Sequence, residues 1–250
     1  MPPGPNARYP VLHSAFCRVG VTIMTLSDAE IKQRILDDLS WDSSIDSSKI
    51  AVVVNHGRVT LAGTVPTFSA RNRATDAAYR IADVIQVDNR IVVKYELPVP
   101  GDPEIRIAVA DALTADPDMD RTDIRISVKR GVVTLEGSVD AYWKKGEAER
   151  IACRTRGICN ITDKLTVVPT RSIADKTIAG DVRAAIERNI NGMAGCVTVR
   201  VADGIVTLSG AVPNWAAVRA AVNAAEFTRG VIDVLDNLEI RAPAAAAGSC

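Results

Sequence analysis

The pattern Gly-x-Val-Thr-Leu-x-Gly-x-Val occurs three times in this chain, starting at Gly57, Gly131 and Gly204. These glycines stand 74 and 73 residues apart, and the second glycines of the pattern, Gly63, Gly137 and Gly210, keep the same offsets. Self-similarity at a fixed period means that one supersecondary unit is repeated. It replaces the expectation of one or two ordinary domains that 250 residues would raise by length alone. A residue kept in all three copies serves the unit itself.

A helix precedes each motif. Ser27-Asp28-Ala29-Glu30 reads as a capping box, in which Ser27 takes an orphan helix N–H and Glu30 reaches back to the cap. Ile31, Ile35 and Leu39 then form one apolar stripe. The second copy opens on Asp102-Pro103, with Pro suited to the first helical turn, and carries Ile105, Val109 and Leu113. The third carries Ile178, Val182 and Ile186. A hairpin follows. Val52 and Val54, Ile126 and Val128, and Val199 and Val201 alternate as a half-buried strand does. The turns hold His56-Gly57, Arg130-Gly131 and Asp203-Gly204, where Gly supplies positive φ. On the return strand Val59, Leu61, Gly63 and Val65 share a face, and Gly63 is expected to let a helix approach closely. A second helix brings alanines four apart: Ala74 and Ala78, Ala148 and Ala152, Ala221 and Ala225. A third strand holds Val87, Ile91 and Val93, then Ile161, Leu165 and Val167, then Val234, Leu238 and Ile240.

The strand–helix–strand crossover makes the second and third strands parallel, while the hairpin is antiparallel. The expected fold is therefore α+β: three tandem αββαβ modules, each a three-stranded mixed sheet packed against two helices. Three separate sheets should start near Ile50, Ile124 and Val197. The expected division is a leader over 1–24, modules over 25–97, 101–169 and 173–241, and a tail over 242–250. The links Leu97–Gly101 and Val168–Ser172 are short and contain proline. A module of this size buries a modest core alone, so the copies are expected to lean on one another.

These residues resemble the BON domain, named for bacterial osmotically inducible and nodulation-related proteins. The resemblance runs through the helix, the glycine motif, the alanine-spaced helix and a closing Gly-Val-x-x-Val-x-Asn-x-Leu. Gly157-Ile158 with Ile161 and Asp163 fits that close, as does Gly230-Val231 with Val234 and Asp236. The first copy departs by placing Asp83 where the glycine stands, followed by Val84, Val87 and Asn89. The resemblance spans Thr25 to Arg241. It implies a non-enzymatic role in envelope or osmotic stress, with peripheral phospholipid binding. A protein-interaction or chaperone-like stress scaffold, with a protein client, is the alternative. A small-ion (potassium) sensor is a third reading, but the chain offers no concentrated oxygen-ligand motif for it.

The residues themselves exclude several classes. Thirty basic and thirty acidic side chains give no net charge, and aromatics are only 4% of the chain. Nucleic acid is therefore not an expected partner. Five cysteines, Cys17, Cys153, Cys159, Cys196 and Cys250, contain no CxxC pair, and the histidines are His13 and His56. A zinc site is not expected, nor any other metal or cofactor. No nucleophile–base arrangement is visible, and His56 reads as an exposed turn residue. Asn89, Asp163 and Asp236 share one repeat position and read as local backbone partners. No transmembrane run and no secretory signal are visible, which favours the cytoplasm, with the periplasm as the alternative; Met1 and Met24 are both candidate starts.

One asymmetry points to a binding surface. Phe68, Tyr142 and Trp215 share a repeat position and are expected to pack within their own modules. Trp143 is different, because its counterparts are Ser69 and Ala216. It is followed by Lys144 and Lys145, with Arg150 and Arg154 near the same helical face. An exposed tryptophan among cations suits anionic lipid headgroups. The candidate lipid-binding residues are thus Trp143, Lys144, Lys145, Arg150 and Arg154.

Overall fold

A computed structural model of the chain describes residues 26–95, 98–119, 123–170, 172–189 and 196–241. The leader over 1–24, the tail over 242–250, Leu97 and Arg171 of the links, and His13, Cys17 and Cys250 lie outside the described residues. The first module runs α1 (Asp28–Trp41), β1 (Ile50–Asn55), β2 (Arg58–Val65), α2 (Phe68–Arg80) and β3 (Gln86–Val93). The second runs α3 (Asp102–Ala115), β4 (Asp123–Lys129), β5 (Val132–Val139), α4 (Trp143–Ala152) and β6 (Asn160–Val167). The third runs α5 (Asp175–Asn189), β7 (Val197–Ala202), β8 (Ile205–Val212), α6 (Trp215–Glu226) and β9 (Asp233–Ile240).

Each module has its own three-stranded sheet, with orders β1-β2-β3, β4-β5-β6 and β7-β8-β9. The first pair of each sheet is antiparallel and the second parallel, as the crossover requires. Burial follows the sequence period. The stripes Ile31–Ile35–Leu39, Ile105–Val109–Leu113 and Ile178–Val182–Ile186 are buried, and so are Val59 and Leu61 with their counterparts. Ala74, Ala78, Ala148, Ala152, Ala221 and Ala225 are fully buried, which brings the second helix of each module close to its sheet. The capping box at Ser27 and Glu30 forms as read.

The structure corrects the role of Gly63. Its neighbour at close range is the backbone at the start of β1, not an α-helix packed on the sheet. A Cβ there would overlap the Lys49 carbonyl oxygen just before β1. Gly137 and Gly210 face the carbonyls of Asp123 and Cys196 in the same way. All three have φ between 129° and 138°. These glycines let the hairpin strands close where the pair begins, a bend that no side chain could occupy. Asp83 keeps the backbone of the glycines it replaces: its φ is 65°, against 95° at Gly157 and 86° at Gly230. Asp tolerates this region because its short side chain bonds locally, and here its Oδ2 accepts from the Leu26 amide at 2.8 Å.

A second device, invisible in the period, recurs in all three copies. Asp28, Asp102 and Asp175 each open a first helix and accept from two successive amides of the hairpin turn. Asp28 takes His56 N (2.9 Å) and Gly57 N (3.1 Å). Asp102 takes Arg130 N (2.7 Å) and Gly131 N (2.9 Å). Asp175 takes Asp203 N (2.9 Å) and Gly204 N (3.0 Å). The helix thus holds the turn through one carboxylate, which the helix N-terminus also favours. The two turn amides hold the Asp28 pKa below its ordinary 3.8. This contribution to stability is complete above that ordinary value and is lost as pH falls through the lowered folded one. Asp28→Asn should therefore lower the urea midpoint at about pH 6 and shrink its fall between about pH 6 and about pH 3. An unchanged acid limb in the variant would show that the clamp does not titrate with folding.

The three modules close into a head-to-tail ring, and the shared aromatic position makes the closure. For Phe68 this corrects the expectation of packing within its own module; Tyr142 and Trp215 pack against their own module's core as expected and also reach the next one. Phe68, at the start of α2, is buried in the core of the second module with Met119, Ile151 and Ile158. Tyr142 packs against the cores of both the second and third modules. Burial, with Asp233 and Glu226 of the third module nearby, pushes its hydroxyl up to about 12. Trp215 of α6 stacks on Tyr79 of α2, with centroids 4.1 Å apart, and returns to the first module. The Tyr95 hydroxyl adds a bond across the first junction, donating to the Ile158 carbonyl at 2.8 Å.

Candidate functional site

The ring leaves three junctions that the repeat makes equivalent, and their side chains differ. They decide where the five candidate lipid-binding residues go. Trp143 begins α4 and reaches across the second–third junction to stack on Phe227, with centroids 6.0 Å apart and planes 11° off parallel. It is half-buried, whereas Phe227 keeps 68% of its surface exposed.

Lys144 is not on an exposed basic face. It is buried, with 6% of its surface accessible, and its Nζ lies 2.9 Å from Asp140 Oδ1. The reason is positional: Lys144 occupies the repeat site of Ala70 and Ala217, both buried against their sheets. Its stem fills that space and its charge meets a neighbour one turn back. Lys145 turns to Asp163 of β6, at 3.4 Å, and lies over the Tyr142 ring. Arg150 is exposed but forked onto Glu147, its Nε 2.7 Å from Oε2. Arg154 follows the end of α4, is exposed, and faces the first module across the other junction. The five are therefore spread between two junctions and an interior.

Sequence reasoning missed Phe227, because it follows α6 and has Arg80 and Arg154 as counterparts. With Trp143 it forms an aromatic pair on the surface. A groove beside Phe227 is lined by the exposed Arg188 and Arg229, with Asp181 as its carboxylate. The local-partner reading of Asn89, Asp163 and Asp236 holds: each accepts the amide two residues on, at Ile91 (2.9 Å), Leu165 (2.8 Å) and Leu238 (3.0 Å). His56 sits exposed in its turn with φ 49°. Among the described residues no group of three or more His, Cys, Asp or Glu is placed to hold a metal ion. Among them, too, no helix is long and apolar enough to cross a membrane.

Comparison with known proteins agrees with this architecture. The chain is 30% identical over 146 residues to osmotically-inducible protein Y of Escherichia coli, covering 56% of this chain and 73% of that protein. It is 26% identical over 147 residues to the 21 kDa hemolysin of Actinobacillus pleuropneumoniae, covering 57% and 75%. Among solved structures, CdsD of the type III secretion system of Chlamydia trachomatis matches at 14% identity over 84% of this chain and 91% of that one, with a TM-score of 0.25. The PrgH periplasmic domain matches at 15% identity over 82% and 99%, with a TM-score of 0.21. Overlaps this weak carry no argument. The model of the BON domain, by contrast, matches residues 27–95, 101–169 and 174–242, one match for each αββαβ module of the ring, and the chain belongs to that family.

Proposed function

We propose that this protein is a non-enzymatic, peripheral membrane-surface binder that associates with anionic phospholipid under envelope or osmotic stress. The observation that carries this reading is the Trp143–Phe227 pair, a stacked aromatic surface with Arg188 and Arg229 alongside. Tryptophan and phenylalanine rings favour the interface between headgroups and acyl chains. Each basic residue near an anionic leaflet adds about 1 kcal/mol. Family membership and the name of the Escherichia coli relative support the stress setting.

Co-sedimentation with vesicles tests it. The protein should pellet with anionic vesicles at low salt and much less with neutral ones. Added salt should release it, because screening cuts the attraction of exposed cations. Phe227→Ser should weaken vesicle binding by about tenfold, the worth of one inserted aromatic, with little change in melting temperature since Phe227 is mostly exposed. Substituting Lys144 is no test of the surface, because it lies in packed interior. If the unmodified protein stays in the supernatant with anionic vesicles at low salt, the lipid reading is wrong.

A further inference from the structure

The junction between the first and second modules holds a cleft of about 800 Å³, against about 470 Å³ for the cleft at the third–first junction, and the two are lined by different side chains. Three guanidinium groups line it: Arg73 from α2, and Arg154 and Arg156 from the turn after α4. Hydroxyls of Ser44, Ser69 and Thr155 stand among them, and no Asp or Glu is among the lining residues. Arg73 is oriented by Asp42 (Nε to Oδ2, 3.0 Å), by Ser69 Oγ at 3.0 Å and by Ser44 Oγ. Arg156 donates to a neutral acceptor, the Pro98 carbonyl, at 3.2 Å. Arg154 is exposed and, among the described residues, makes no ion pair. One carboxylate therefore meets three guanidiniums, in a protein whose charges balance over the whole chain.

The repeat supplies an internal control. The position of Arg73 is Glu147 in the second copy and Ala220 in the third. The position of Arg154 is Arg80 in the first copy and Phe227 in the third, and that of Arg156 is Ala82 and Arg229. At the third–first junction Arg80 is paired with Asp38 at 2.8 Å, and Asp76 lines the cleft with Arg219. At the second–third junction Trp143 and Phe227 hold the corresponding positions. The module fold does not need three arginines here.

We propose that this cleft binds a phosphate group, supplied either by a soluble phosphate or phosphomonoester or by a phospholipid headgroup. Guanidinium forks match phosphate oxygens in planar geometry, and hydroxyls complete a tetrahedral oxyanion's hydrogen bonds. The site is separate from the Trp143–Phe227 surface; its soluble-phosphate form is independent of the reading above, and its headgroup form would deepen that reading.

The test uses the full chain, inorganic phosphate at constant ionic strength, and vesicles of phosphatidylcholine with and without phosphatidic acid. The variants are Arg154→Ala with Arg156→Ala, and Arg219→Ala as a control in the third–first cleft. Circular dichroism checks that each is folded. Phosphate should raise the melting temperature of the unmodified protein and bind the double variant more weakly by roughly tenfold or more. Arg219→Ala should behave as unmodified. If the double variant also loses phosphatidic-acid vesicles, the ligand is a headgroup; if its vesicle binding is unchanged, the ligand is soluble. Equal phosphate binding by the unmodified protein and the double variant overturns the proposal. So does the absence of any phosphate response together with unchanged vesicle binding in the double variant. Neither result touches the lipid reading, which co-sedimentation of the unmodified protein with anionic vesicles decides.

Discussion

Phe68→Ala should cost about 3–5 kcal/mol, the range for removing a buried aromatic and leaving its cavity. Phe68 is 4% exposed and lies among core residues of the second module, although the chain places it in the first. The loss is a large share of the ~5–15 kcal/mol that holds a typical folded protein together. Urea denaturation measures the total. Hydrogen exchange shows where it falls: amides of β5, the central strand of the second sheet, should lose protection along with those of β2. Should β5 keep its protection while the first module alone opens, the ring contact is not where the energy lies.

Gly137→Ala should be nearly as damaging by a different route. The added methyl would overlap the Asp123 carbonyl oxygen, and Gly137 has φ 129°, a conformation that L side chains rarely adopt. Strain of this kind costs about 1–3 kcal/mol, and the backbone overlap adds to it. We expect a loss of about 3 kcal/mol or more, with β4 displaced at the Ile124–Gly137 pair. Gly146 is the matched contrast. It lies inside α4, and a Cβ there would meet nothing within 4 Å. Gly146→Ala should stabilise by about 0.5–1 kcal/mol through its lower unfolded-state entropy. Thermal melts of the two variants would separate the glycine the fold needs from the one it merely carries. Similar melting temperatures for both would show that the strand closure at Gly137 relaxes freely.

Some of the glycine logic was readable and some was not. The pattern showed that Gly63, Gly137 and Gly210 were required. It did not show what stood against them, since a strand glycine facing a helix and one facing a carbonyl are written alike. The Asp28, Asp102 and Asp175 clamps were in plain view at constant offset. They look like ordinary helix-start carboxylates until the turn folds back to within 3 Å of them. The candidate surface was less legible still. Helical spacing put Trp143, Lys144 and Arg154 near one another, yet α4 ends at Ala152 and the three side chains go to a third-module ring, to Asp140 and to a first-module cleft.

The sequence by itself determined each module. Periods of two and of three to four residues report which side of a strand or helix meets its own sheet, and turn chemistry joins the elements in one order. These are short-range facts, written within about 73 residues and repeated three times. Only the tertiary structure decided what happens between modules. Phe68, Tyr142 and Trp215 sit at the edge of a helix, where no period assigns them to an interior; Phe68 is buried in the next copy, and Tyr142 and Trp215 are shared between their own core and the next copy around the ring. The same closure draws Trp143 onto Phe227 and gathers three arginines from two modules into one cleft. Contacts between chain segments 63 to 143 residues apart, such as Tyr95 to Ile158, Tyr79 to Trp215 or Asp76 to Arg219, depend on how whole surfaces fit, and that fit has no period to read.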